Sequence, residues 1–218
     1  MFPIGDDDSQ VRISPFITLG LIVANVLIFL VELNGGDEFI RQWSFVPSRF
    51  AADPASQWPT IFTAMFMHGG WMHLFGNMLY LYIFGDNVEE RFGHIGYLIF
   101  YLVAGIAATF AQFYFNPHSN IPNLGASGAI AGVLGAYLLL FPQARVDVLV
   151  ANTLNSMPAL VVIGFWFVLQ LFSGVGSIAR TDETADAGGV AYMAHVGGFI
   201  AGLAIAFFFR GRGGSETA

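Results

Sequence analysis

Apolar residues fall in six long blocks separated by short polar breaks, and the block lengths predict helices that cross a bilayer. A helix of about 20 apolar residues spans the roughly 30 Å hydrocarbon layer. Residues 15–33 form the first block, with Asn25 as its strongly polar interior position. Residues 69–88 form the second, carrying His73 and Asn77 four apart on one helical face. Residues 95–115 form the third, 157–178 the fifth, and 189–209 the sixth, which contains His195. The fourth block, residues 126–141, ends at Pro142 and reaches only about 24 Å as a helix. That is short of a full span, so its serine end is expected below the membrane surface. Residues 34–60 mix charges and prolines with Phe39, Trp43, Phe45, Phe50 and Trp58, and read as a segment lying in the membrane interface. Residues 142–155 read as a loop and 179–188 as a polar loop. The pattern divides the chain into an acidic N-terminal tail (1–14), a six-helix domain (15–209) and a C-terminal tail (210–218). The expected fold is an all-α membrane bundle with a short fourth helix.

Composition agrees with a membrane protein. Of 218 residues, 56% are hydrophobic and 11% charged, with a mean hydropathy of +0.65. Soluble domains carry about 25% charged residues, more than twice the level available here to coat a surface. The absence of cysteine excludes disulfides, thiolate metal sites and a cysteine nucleophile. A net charge of −7, concentrated near Asp6, Asp7 and Asp8, points to no nucleic-acid partner. Residues 1–14 lack an apolar core and do not read as a cleaved signal peptide. All cationic side chains are arginines. Arg12, Arg91, Arg145, Arg210 and Arg212 fall on the side of the termini, against Arg41, Arg49 and Arg180 on the other, which places the termini in the cytoplasm.

With six spans, blocks two, four and six start from the same face. Ser127 then opens block four, while His73 and His195 lie about 9 Å into blocks two and six, so the three share one depth. Asn77 is one turn deeper. Ser127 stands at a loop-to-helix junction between Gly125 and Gly128, where the first helical N–H groups are free to bind an oxyanion. It is the candidate nucleophile and His195 the candidate base. Small residues at Gly128, Gly132 and Ala136, and at Ala194, Gly198, Gly202 and Ala206, let blocks four and six pack backbone to backbone, which brings the pair together. Packing alone, with His195 bonded to a neighbouring carbonyl, is the alternative. Glu32 and Asp86 are the acids within the spans and both lie near the ends, so the expected unit is a dyad. The N–H of Ser127 with the side chains of His73 and Asn77 are candidate oxyanion donors; the alternative for His73 and Asn77 is an interhelical hydrogen bond. His68 is read as ordering the interfacial loop. Gln112 and Gln170 are read as packing or hydrogen-bonding residues, and Glu89 with Arg91 as a clasp at a helix end. No metal or cofactor is expected, since His68 and His73 are five apart and no H-E-x-x-H occurs.

His68-Gly69-Gly70-Trp71-Met72-His73-Leu74-Phe75-Gly76-Asn77, Gly125-Ala126-Ser127-Gly128 and Ala194-His195-Val196-Gly197-Gly198 resemble, in order, the three signature motifs of rhomboid intramembrane serine proteases. The resemblance runs from about Trp58 to the end of the last block. It implies a six-helix rhomboid fold, a Ser127–His195 dyad, an oxyanion site including His73 and Asn77, and hydrolysis of peptide bonds in or near substrate transmembrane helices. It also implies that His68 stabilises the first loop and that the Glu89-Glu90-Arg91 helix end is structural. Ala131 stands where many bacterial members carry an aromatic residue stacked on the histidine, and Trp58 is followed by Pro59 where the loop commonly carries Trp-Arg. The partners implied are transmembrane protein substrates and the lipid bilayer. The expected location is a multi-pass position in a prokaryotic cell membrane. A catalytically silent rhomboid-like binding or quality-control factor is the rival, though such a protein is expected to lack the serine or the histidine. A small transporter or proton channel is a third reading, whose acidic relay within the spans is absent.

Overall fold

The computed structural model describes residues 2–7, 9, 11–178 and 191–210. The expected loop at 179–188, with Arg180, and the tail beyond Arg210 lie outside the described residues. Helix α1 (Phe16–Trp43) runs well past residue 33, its expected end, because the polar residues after Leu33 do not break a helix until Gly36. There the backbone takes φ 57°, ψ −152°, a conformation glycine adopts without a Cβ clash, and the axis kinks. Three short helices follow, α2 (Pro47–Ala52), α3 (Pro54–Gln57) and α4 (Pro59–Thr63), then a 3₁₀ turn, Ala64–Phe66. Each short helix opens on proline, whose fixed φ and missing N–H suit the first helical position. Pro59 after Trp58 is thus the start of α4.

The longer helices are α5 (Trp71–Phe92), α6 (His94–Phe115), α7 (Ser127–Leu140), α8 (Ala159–Ile178) and α9 (Tyr192–Phe209). Their ends fall within a few residues of the apolar blocks. Among the described residues, α1, α6 and α9 are long and apolar enough to cross a membrane, and two shorter apolar helices, Ser127–Leu140 and Ala159–Val175, accompany them. Leu27, Val31, Phe172, Phe207 and Phe208 are exposed on outward faces, as side chains facing lipid are.

Helix α7 lies at the centre, packed by α5, α6 and α9, and every residue from 128 to 137 is buried. A helix buried all round needs small residues where neighbouring backbones approach. A Cβ added at Gly198 would collide with the carbonyl oxygen of Gly128, and one at Gly202 with that of Gly132. On the opposite side of α7, a Cβ at Gly132 would lie 2.5 Å from the Cβ of Ala104 in α6. The glycines thus bring α7 against two helices at once, with backbone oxygen as the contact surface toward α9.

The all-α expectation needs correction, because the predominantly helical fold also carries a small sheet. Strands β1 (Phe2–Asp6), β2 (Arg145–Val150) and β3 (Thr153–Pro158) form an antiparallel sheet in the order β1-β2-β3. The expected loop at 142–155 is therefore mostly a hairpin. Val146 and Val148 are buried while Arg145, Asp147 and Leu149 face out, the period-two pattern of a half-buried strand. The turn uses Ala151 and Asn152 at φ 45° and 66°, without the glycine that ordinarily announces such a turn. Likewise, residues 2–6 of the expected tail form an edge strand. Asp6 accepts hydrogen bonds from the Tyr137 hydroxyl (2.5 Å) and Asn87 Nδ2 (3.1 Å), which ties that strand to α7 and α5.

Next to this sheet, the end of α5 caps the start of α1. Glu89 is fully buried and accepts from Ile17 N, Thr18 N and the Thr18 hydroxyl at 2.7–2.9 Å, and from His94 Nδ1 at 2.5 Å. Glu90 accepts from the N–H groups of Arg12 and Ile13 at 2.8 Å. The first N–H groups of α1 have no intrahelical partner, and a carboxylate is the best acceptor for that positive helix end. The structural role expected of this helix end is met by Glu89 and Glu90 toward α1.

Gly202→Ala should lower the melting temperature in detergent, since overpacking of this kind costs about 1–3 kcal/mol. Gly20→Ala is the control, because a Cβ there meets nothing. A Gly202→Ala melt equal to wild type would show that the α7–α9 contact yields freely.

Candidate functional site

Ser127 is the first residue of α7, and the loop before it is held from below. Phe45 and Asn123 exchange backbone hydrogen bonds at 3.1 and 2.7 Å, and Gly125 N donates to Ala64 O at 2.8 Å. Gly125 has φ +127°, which turns the chain into the helix. The serine side chain therefore leaves a fixed backbone with the first N–H groups of α7 around it.

His195 meets it from α9. Its Nε2 is 2.7 Å from Ser127 Oγ, and its Nδ1 is 2.7 Å from Gln170 Oε1 on α8. The expected neighbour is thus joined by one assigned only a packing or hydrogen-bonding role. Trp166, one turn before Gln170, lies against the ring at a centroid distance of 5.9 Å and 35°; Tyr192 meets it edge-on at 6.5 Å. These aromatic contacts come from α8 and α9, so Ala131 of α7 contributes none. From α6, Gln112 Oε1 accepts the Ala194 N–H at 3.3 Å, which anchors the first turn of α9 beside the histidine.

His73 and Asn77 approach from α5. The Gly69 N–H donates to His73 Nδ1 at 3.4 Å, which leaves Nε2 to carry the proton. That nitrogen faces a narrow gap, since a Cβ on Gly125 would lie 2.9 Å from it and 3.6 Å from Ser127 Oγ. Asn77 is buried, and its Nδ2 has no hydrogen-bond partner among the described residues. A buried donor left unpaired costs about 1–3 kcal/mol, and this one belongs to a residue in the wall of a cavity. Ser127, His195, His73 and Asn77 all line one cavity of about 480 Å³, whose wall continues through Tyr80 and Trp166.

His68 lies under this group and outside the cavity wall. It is buried, its backbone N–H donates to Glu32 Oε2 at 2.9 Å, and its ring meets His73 edge-on at 5.1 Å. Burial, with His73 adding, pushes its pKa down to about 4, so it is neutral at pH 7. It touches the His73 ring as well as tying the loop to Glu32. Trp166 and Tyr192 are the site residues that sequence reasoning missed, and Gln170, expected to pack or hydrogen-bond, does so with His195. The available signal was Trp166 and Gln170 four apart, on one face of α8.

A predominantly helical membrane protein whose central helix opens on a serine hydrogen-bonded to histidine defines a narrow class. The Rhomboid domain model matches residues 55–212, most of the chain, and the protein belongs to the rhomboid family. The chain is 30% identical to the Bacillus subtilis rhomboid protease GluP over 87% of its length, spanning 34% of that protein. It is 26% identical to the mitochondrial RHOMBOID-like protein 6 of Arabidopsis thaliana over 88% of its length, spanning 68% of that relative. With the chloroplastic Rhomboid-like protein 11 of the same plant it shares 33% identity over 54% of its length, spanning 42% of that relative. The relatives are bacterial and organellar, so they do not support the expected prokaryotic cell membrane over another membrane.

Stability should depend on pH through His68. Below about pH 6.5 the unfolded chain takes up a proton that the buried ring refuses until about pH 4. The stability is therefore full above pH 6.5 and falls by up to about 3 kcal/mol as pH drops to 4. Melting temperatures at pH 7 and 4.5 test this, with His68→Gln expected to lose less than wild type. Equal losses would remove His68 from the pH dependence.

Proposed function

We propose that this protein is an intramembrane serine endopeptidase that cleaves peptide bonds in or near transmembrane segments of membrane-protein substrates. The observation that carries the reading is the 2.7 Å contact of Ser127 Oγ with His195 Nε2, at a helix N-terminus within a cavity of an apolar bundle. In this reading α1, α5, α6, α7, α8 and α9 cross the bilayer in turn, α7 by a short path. At 14 residues α7 is about 21 Å long, so the cavity opens below the surface. The arginine distribution supports cytoplasmic termini.

Ser127 Oγ attacks the substrate carbonyl carbon as its proton passes to His195 Nε2. The C–O bond that forms leaves the carbonyl oxygen negative, and the donors assigned to it in this reading are the Ser127 N–H, Asn77 Nδ2 and His73 Nε2–H. His195 returns the proton to the leaving amine as the C–N bond breaks. Water, deprotonated by His195, then hydrolyses the acyl ester and restores the serine. Among the described residues no carboxylate bonds His195, and a dyad of this kind has a lower rate than a triad without losing the oxyanion and positioning contributions.

Ser127→Ala should abolish cleavage of a model transmembrane substrate and labelling by a fluorophosphonate probe, with the melting temperature unchanged. Loss of a serine nucleophile costs about 10⁶ in rate. Absence of probe labelling in the wild-type protein would favour a non-catalytic rhomboid-like binding protein. Asn77→Ala should reduce turnover by about 10² to 10³ while retaining labelling better than turnover. Wild-type turnover in that variant would make Asn77 structural.

A further inference from the structure

Neutral imidazole has two tautomers, and only one can serve as the base toward Ser127. With the proton on Nδ1, Nε2 carries a lone pair that accepts the serine O–H. With the proton on Nε2, the ring donates to Ser127 Oγ and cannot take its proton. Which tautomer is present is set by the hydrogen bond that the other nitrogen makes. That bond goes to Gln170, whose Oε1 lies 2.7 Å from Nδ1. An amide oxygen accepts and cannot donate, so it holds the proton on Nδ1 and leaves Nε2 free.

Resting on the endopeptidase reading above, we infer that Gln170 is the positioning residue for His195, the neutral third member of a Ser127–His195–Gln170 relay. Three features support it. Trp166 and Gln170 lie one turn apart on α8 and reach the same ring, one against its plane and one at its edge. The ring receives no aromatic side chain from α7, where Ala131 is fully buried. When His195 takes the serine proton, the charge appears on a ring whose Nδ1–H already points at the oxygen end of the Gln170 amide dipole. That dipole stabilises the imidazolium without an ionised acid, which the apolar bundle would strongly disfavour. A glutamine can also turn its NH₂ toward Nδ1, which would select the inactive tautomer, so the amide orientation itself decides whether the base is competent.

The test compares Gln170→Met, which keeps the length and loses the acceptor, with Gln170→Glu, which keeps an acceptor oxygen. Purified proteins in lipid are assayed for kcat and KM with a transmembrane substrate, for probe labelling, for melting temperature and for the ¹⁵N spectrum of labelled histidine. The His195 signals are assigned by their loss in His195→Ala. Wild type should show a protonated Nδ1 and an unprotonated Nε2. Gln170→Met should shift the tautomer toward Nε2–H and lower kcat by about 10- to 100-fold, the usual range for orienting partners, with KM little changed. Gln170→Glu should restore the Nδ1–H tautomer and most of kcat. A folded Gln170→Met protein with wild-type kcat, or with an unaltered His195 spectrum, would overturn the inference while leaving the Ser127–His195 proposal intact. A wild-type protein that neither cleaves nor labels would sink the endopeptidase reading, whereas the tautomer spectra would still decide whether Gln170 governs the ring.

Discussion

The structure depends on how closely two helices can approach without side chains between them. Gly128 and Gly132 on α7 face Gly198 and Gly202 on α9, and at Gly198 and Gly202 the facing atom is a backbone carbonyl oxygen. In lipid there is little hydrophobic gain from joining apolar helices, so van der Waals contact of this kind has to supply the association. It also determines register. Gly128 lies one residue after Ser127 and Gly198 three after His195, so the contact that binds the helices also aligns the two functional side chains.

At each end of this apolar stack a buried carboxylate accepts backbone N–H groups. At the sheet end Glu89 accepts from first-turn N–H groups of α1, and Glu90 from those of Arg12 and Ile13 just before the helix. Glu32 accepts the His68 N–H at the site end, beneath His73. Glu32 and Glu89, both buried, thus accept backbone N–H groups, and Glu89 also bonds the Thr18 hydroxyl and His94. Among the described residues the partner of His195 Nδ1 is an amide, while the buried acids Glu32 and Glu89 lie elsewhere.

The helices were legible because length and hydropathy alone mark segments of this kind, and the Ser127–His195 pairing because the small-residue stripes specify which helices touch. Residues 2–6 and 145–158 were not legible as strands. Asp6 disguised the first as a solvated tail, yet its carboxylate is consumed by Tyr137 and Asn87; the hairpin turn at Ala151 and Asn152 lacks glycine. The extension of α1 to Trp43 was hidden by Gly35, Gly36 and nearby charges, which suggested a break where the chain only kinks. Gln170 was seen and undervalued. A lone amide in an apolar helix reads as a packing device until the neighbouring helix shows that it faces an imidazole.

The small sheet also bears on the order in which the fold is completed. Phe2 pairs with Leu149 and Asp6 with Val146, so residues 2–6 find their partners only once residues 146–149 have been synthesised. Closing so long a loop carries an entropic cost that the few hydrogen bonds of an edge strand cannot offset before the helices are together. Loop-closure entropy thus favours seating of β1 after the helices have packed. Until then Asp6 is absent from its place beside Tyr137, at the opposite end of α7 from Ser127, and the bundle remains unlatched on that side.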